Sequence, residues 1–138
     1  MPWYLRLSTL LGRVILGLYF FLAGIMKIQD PDASIRLMED HGLPFPGVLL
    51  PLAIVVELAG GAALVLGFRA RVTAFILAAF TLVVSVTLHN FWAVPSAQTA
   101  IELQLFYKNI GVLGGLLFVI GMGAGSARVS FGRFDLDD

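Results

Sequence analysis

The chain has 138 residues, of which 59% are hydrophobic and 13% charged. That is about half the charge of a water-soluble domain, in which charged residues make up about a quarter. Mean hydropathy is +0.92, and four membrane spans of about 20 residues each would absorb about 80 residues, close to the whole apolar content. The lack of cysteine excludes disulfides, thiol relays, iron–sulfur clusters and covalent c-type haem. Two histidines are too few for a His-rich metal site, and nine basic residues balanced by nine acidic ones leave no footprint for nucleic acid. The composition is that of an all-α integral membrane protein, a four-helix bundle with almost no extramembrane domain.

The first span is expected over residues 7–28. Its apolar stretch is long, it carries Arg13 and Lys27, and no A-x-A site follows, so it reads as a retained helix and not a cleaved signal peptide. Arg13, Gly17, Phe20, Gly24 and Lys27 recur at i, i+4, i+7, i+11 and i+14, which keeps them on one stripe. The stripe has a cation near each end and small residues that let neighbouring backbones approach. Snorkelling to the two interfaces is the plain expectation for both cations, with Arg13 touching inner-leaflet lipid.

Residues 29–46 form the sole large loop. Asp30 before Pro31 reads as an N-cap followed by a first-turn proline. A short interfacial helix then ends at Gly42, ahead of Pro44 and Pro46.

The second span covers residues 47–68, with Pro51 near its start, where proline is tolerated. Glu57 stands mid-span, too far from either interface to reach water, and Gly60 and Gly61 follow on its face. A carboxylate there has to pair with a cation or stay protonated. Two readings follow: an interhelical ion pair with Lys108 or Arg13 that fixes packing, or a ligand-binding and proton-handling carboxylate in a small polar cavity.

A tight turn at Gly67–Arg71 leads into the third span, residues 72–92. There Thr81, Ser85 and His89 follow at four-residue steps, with Asn90 and Trp92 nearby. After a short polar link, the fourth span covers residues 101–122. Gln104, Lys108, Gly111 and Gly115 share a face beside Asn109, and Gly111 and Gly115 form a close-packing G-x-x-x-G. Residues 123–138 are a short tail.

The positive-inside rule orients the bundle. With the N-terminus in the cytoplasm, Arg6, Arg69, Arg71, Arg128 and Arg133 lie inside and only Lys27 and Arg36 outside. An even number of spans then puts both termini inside. Lys27, His89, Glu102, Gln104, Lys108 and Asn109 fall in the outer half, with Glu57 near the midplane. This concentration predicts a polar pocket opening toward the periplasm.

The stretches RVILGLYFFLAGIMKIQDP, HGLPFP, VVELAGGAALVLGFRARVTAFILAAFTL and FYKNIGVLGGLLFVIGMGAG together resemble the DoxX family of small four-helix membrane proteins. On this resemblance Arg13, Lys27, Glu57, Gly60, Gly61, Arg71, Lys108 and Asn109 occupy motif positions, and His89 stands where many relatives have a polar residue. The resemblance implies a bacterial inner-membrane location. It also implies a link to quinone: a related protein is a membrane subunit of a thiosulfate:quinone oxidoreductase, and other members are associated with quinone, catechol or oxidant stress.

Three functions compete. In the first, a quinone-linked redox protein, Glu57 and Lys108 are the catalytic pair, while Lys27, His89 and Asn109 bind the headgroup. Phe20, Phe21, Phe91, Phe106 and Tyr107 would wall the ring. Without a recognisable electron carrier, electrons would come from a small reductant or from a partner oxidoreductase subunit. In the second, the chain is a non-catalytic accessory subunit or homo-oligomer that stabilises a larger membrane complex. The third, a transporter, lacks an inverted repeat or paired broken helices.

Overall fold

The computed structural model describes residues 2–126 and 128, and no strand occurs among them. Five helices follow in order: α1 Trp3–Gln29, α2 Pro31–Asp40, α3 Pro46–Leu66, α4 Ala70–Leu88 and α5 Ser96–Met122. All but α2 are long and apolar enough to cross a membrane. The 27 residues of α1 or α5 span about 40 Å at 1.5 Å per residue, more than the ~30 Å hydrocarbon layer.

The short interfacial helix forms as its caps dictate. Asp30 accepts from the Ala33 amide at 3.1 Å and Pro31 occupies the first turn. At the other end Gly42 takes φ +71, and the Leu43 amide reaches back to the Met38 carbonyl at 2.9 Å. The α3–α4 turn closes similarly: Gly67 adopts φ +74, and the Phe68 amide bonds the Ala63 carbonyl at 2.9 Å.

Helix ends differ from the hydropathy spans where backbone hydrogen bonding starts or stops away from the edge of the apolar window. Thus α1 and α5 begin at Trp3 and Ser96, ahead of residues 7 and 101. Conversely α4 stops at Leu88, with His89 as its C-cap, so Trp92 lies in the connecting turn.

Contacts fix the directions. Going up α1, Arg13 meets Leu64, Gly17 meets Gly61 and Gly24 meets Glu57 and Leu58, so α1 and α3 are antiparallel. Helices α4 and α5 are antiparallel too, with His89 against Glu102 at one end and Arg71 against Gly123 at the other. The α1–α3 and α4–α5 pairs join chiefly through α3 and α4, whereas α1 and α5 touch only lightly.

The Gly17–Gly61 crossing is the tightest of these contacts. A Cβ on Gly61 would sit 2.6 Å from the Gly17 carbonyl oxygen and from the Phe21 amide nitrogen. Only glycine lets the two backbones approach that closely. The fully buried Leu64, Leu77 and Leu116 centre the main core, and Met38, Leu50 and Leu88 form a second cluster beneath α2. Ile15, Leu22, Phe75 and Phe118 point outward, as the lipid face of a membrane bundle should.

Candidate functional site

The α2 end of the bundle carries a half-open polar cavity of about 200 Å³. Glu57, Lys108, Lys27, His89 and Asn109 all line it, together with Tyr19, Phe20, Phe80 and Thr81. Lys27 lies in the last turn of α1 and Glu57 in the middle of α3. The two reach each other because Gly24, directly opposite Glu57, has no side chain: a Cβ there would lie 3.3 Å from the Glu57 Cβ.

Glu57 pairs with Lys27, at 2.9 Å between Nζ and Oε1, and not with Lys108 or Arg13. The Glu57 side chain is 6% exposed and that of Lys27 27%. The ion pair uses only one carboxylate oxygen. Glu57 Oε2 is buried without a hydrogen-bond partner among the described residues. A buried acceptor left unmatched costs about 1–3 kcal/mol, so such groups call for a bound donor, water or ligand.

Lys108 stands across the cavity on α5, over the Tyr19 ring at 5.6 Å from its centroid, and makes no ion pair among the described residues. Its ammonium is therefore held by an aromatic face, a weaker restraint than a carboxylate. Asn109, by contrast, is buried. The buried stripe of α5 is Glu102, Asn109 and Leu116, at seven-residue steps. Gln104, Lys108 and Gly111 are exposed, Lys108 still reaching the edge of the cavity, and a Cβ at Gly111 would meet nothing within 4 Å. Gly115 packs near Leu16, so the G-x-x-x-G pair is not an interface within the chain.

His89 is not a headgroup-level histidine standing alone. Its Nδ1 lies 2.9 Å from Oε2 of Glu102, a buried residue. The i, i+7 spacing of Glu102 and Asn109 was the sequence signal for this partner. Thr81 and Ser85 spend their hydroxyls on carbonyls of their own helix, at 2.7 Å and 2.6 Å. They supply bulk and a dipole to this side, but their protons are already used.

Arg13 does not snorkel. It is 2% exposed and donates from Nη1 to the Leu64 carbonyl at 2.9 Å. That carbonyl belongs to the last turn of α3, where unsatisfied C=O groups attract a cation. Gly67 leaves room for the guanidinium, which a Cβ there would overlap. Arg13 is thus a cap for α3, at the end of the bundle away from the cavity. Of the aromatics, Phe20 lines the cavity, while Phe91, Trp92, Phe106 and Tyr107 make a chain of edge-to-face contacts beside it.

Fold and cavity together define a multi-pass membrane protein, a four-span helical bundle with a buried polar core at one end. The DoxX family matches residues 8–90, and the chain belongs to that family. It is 32% identical over 122 residues to the Escherichia coli "Inner membrane protein YqjF", covering 88% of each chain. To "Inner membrane protein YphA" of the same organism it is 27% identical over 117 residues, covering 85% of this chain and 84% of that one. The Bacillus subtilis protein named "Putative oxidoreductase CatD" is 33% identical over 78 residues, 56% of each chain. No solved structure matches. The apolar helices and the two inner-membrane relatives make this a protein of the bacterial inner membrane.

Proposed function

We propose that the cavity binds a quinone headgroup and that the protein serves quinone-linked oxidoreduction. The observation that carries this reading is Glu57 Oε2: a buried, unmatched carboxylate oxygen in a polar cavity inside an apolar bundle. At about 200 Å³ the cavity is below the ~300–1,000 Å³ of pockets for drug-sized ligands, which suits a single ring with its tail left in lipid. Lys108 and Asn109 on one side and His89 on another offer donors for two carbonyls, and Tyr19, Phe20 and Phe80 offer flat apolar walls. A quinone, when bound, supplies two-electron, two-proton exchange. Glu57 holds or releases a proton at Oε2, while Lys27 sets the charge at Oε1 and fixes the carboxylate plane. The name of the Bacillus subtilis relative supports an oxidoreductase role. Electrons would come from a small reductant or a partner subunit.

In this reading the cavity faces the periplasm and both ends of the chain the cytoplasm. The charge pattern supports it: Arg6, Arg69, Arg71 and Arg128 cluster at the end opposite Lys27 and Arg36.

A second reading, an accessory subunit or homo-oligomer, is favoured by α5. Cβ atoms at Gly111 and Gly114 would meet nothing within 4 Å, and Leu117 and Phe118 beside them are exposed. That face is free for a partner helix.

Equilibrium binding of decylubiquinone to the protein in lipid nanodiscs, read by tryptophan quenching, separates the two. Glu57→Gln is expected to fold and assemble normally but to bind at least tenfold more weakly. Unchanged affinity, or no binding by the parent protein, would overturn the quinone reading. Lost assembly in place of lost binding would favour the accessory subunit.

A further inference from the structure

The intramembrane cavity has a neighbour. A second, larger polar space of about 530 Å³ lies at the same end of the bundle, between α2 and the α4–α5 connection. Asp40 and His41 line it from α2 and its cap, Asn90 from the turn after α4, and Gln98 and Glu102 from α5. His41 Nε2 and Asn90 Oδ1 are buried there without hydrogen-bond partners among the described residues. A space this roomy, with Asp40, Asn90, Gln98 and Glu102 in its lining, is ordinarily filled by water. We call this space the vestibule.

One contact joins the two spaces. Glu102 lines the vestibule and His89 lines the intramembrane cavity, and their side chains meet at 2.9 Å. Their exposures are only 12% and 15%, so the pair stands between the two spaces and not at the surface. With Nδ1 engaged by the carboxylate, Nε2 is the ring nitrogen left for the cavity that His89 lines. A carboxylate on the wet side, an imidazole on the cavity side and a short hydrogen bond between them are the parts of a proton shuttle.

We propose that Glu102 and His89 form a proton relay connecting the vestibule with the intramembrane cavity. A proton taken up by the Glu102 carboxylate passes to Nδ1 of His89, and the ring releases the proton on Nε2 to an acceptor in the cavity. One proton enters at the carboxylate and one leaves at the ring, so the charge of the pair is unchanged; the ring is left as the Nδ1–H tautomer, and water-mediated tautomerisation back to Nε2–H restores the starting state. The cavity acceptor is the quinone oxygen or Glu57, so this role deepens the quinone reading and rests on it for its purpose. Lys27, Glu57 and Lys108 face His89 across the cavity, and Asp40 and His41 face Glu102 across the vestibule. Those groups set the field through which the proton moves. Neither residue need touch the reacting ring carbon; Glu102 acts through His89 and is a positioning and relay residue.

The test needs no quinone. Two histidines, His41 and His89, make ¹⁵N-histidine spectra of the full chain in lipid bilayers assignable, with His41→Gln identifying the pair. Proton exchange between the His89 ring and water is measured in the parent protein, in Glu102→Gln and in Glu102→Asp, with His41 as the internal reference for water access. A relay predicts that Glu102→Gln slows His89 exchange at least tenfold, that Glu102→Asp restores part of it, and that His41 is unchanged. A merely structural clasp predicts unchanged or faster exchange, since glutamine either keeps a hydrogen bond to the ring or loosens it. Unchanged or faster exchange at His89 would overturn the relay. As a second readout, film voltammetry of bound decylubiquinone should show a proton-coupled step at least tenfold slower in Glu102→Gln at unaltered midpoint potential; an undiminished rate counts against the relay. If the parent protein binds no quinone yet Glu102→Gln slows exchange at His89, the quinone reading falls and the relay stands.

Discussion

Removing either member of the Lys27–Glu57 pair should destabilise the protein by unequal amounts, and the structure says which is worse. At 2.9 Å and an effective dielectric constant of about 20, the gross attraction is about 6 kcal/mol, most of it offset by desolvation. What a substitution costs depends on what is left behind. Lys27→Met strands a carboxylate that is 6% exposed in mid-span, and an uncompensated buried charge costs about 3–5 kcal/mol. Glu57→Gln strands an ammonium that is 27% exposed in the last turn of α1. A lysine there can swing its four-carbon stem to the interface, so about 1–2 kcal/mol is expected. The double variant should resemble Glu57→Gln alone, which implies a coupling of about 3–5 kcal/mol between the two sites, the full cost of Lys27→Met. Equilibrium unfolding in bicelles by steric trapping measures all three. Equal losses for the two single variants, or additive losses in the double, would refute this account of the cavity's charge.

Packing makes its own predictions. Gly61→Ala should destabilise by about 1–3 kcal/mol or more, since its Cβ would meet the Gly17 carbonyl and the Phe21 amide at 2.6 Å. Gly111→Ala, with nothing within 4 Å, should be neutral in the isolated chain; the same unfolding assay compares the two. Arg13→Met should cost about 1.5–3 kcal/mol through the lost charged hydrogen bond to Leu64, and Arg13→Lys should recover only part, because the ammonium lacks the guanidinium's reach and fork. Thermal unfolding in mild detergent orders the three proteins.

Much of the architecture was legible from one-dimensional information. Spans of about 20 apolar residues, an Asp-Pro cap, and glycines at turns are local signals, each set by a few neighbouring residues and by the bilayer's thickness. The five residues singled out in advance, Glu57, Lys108, Lys27, His89 and Asn109, do line one cavity. They were found because an ionisable or amide group in an apolar span is costly and has few places to go.

Partnerships were another matter. The sequence pattern points to snorkelling for Arg13 and Lys27 and to Lys108 or Arg13 as the partner of Glu57, whereas the packed bundle assigns the three cations differently. One caps the end of α3, one neutralises Glu57, and one rests on Tyr19. The same holds for His89, whose partner Glu102 lies 13 residues on, across a turn.

The sequence by itself determined that this chain is a four-span helical membrane protein, where its helices begin and end to within a few residues, and which polar groups must be sheltered from lipid. Only the tertiary structure decided which cation meets which anion, and that one oxygen of Glu57 is left over. The physical reason is one of range. Insertion and capping energies are set within a single helix. A 2.9 Å contact depends on the rotation and crossing of two helices, which here follow from Gly17 meeting Gly61 and Gly24 making room for Glu57.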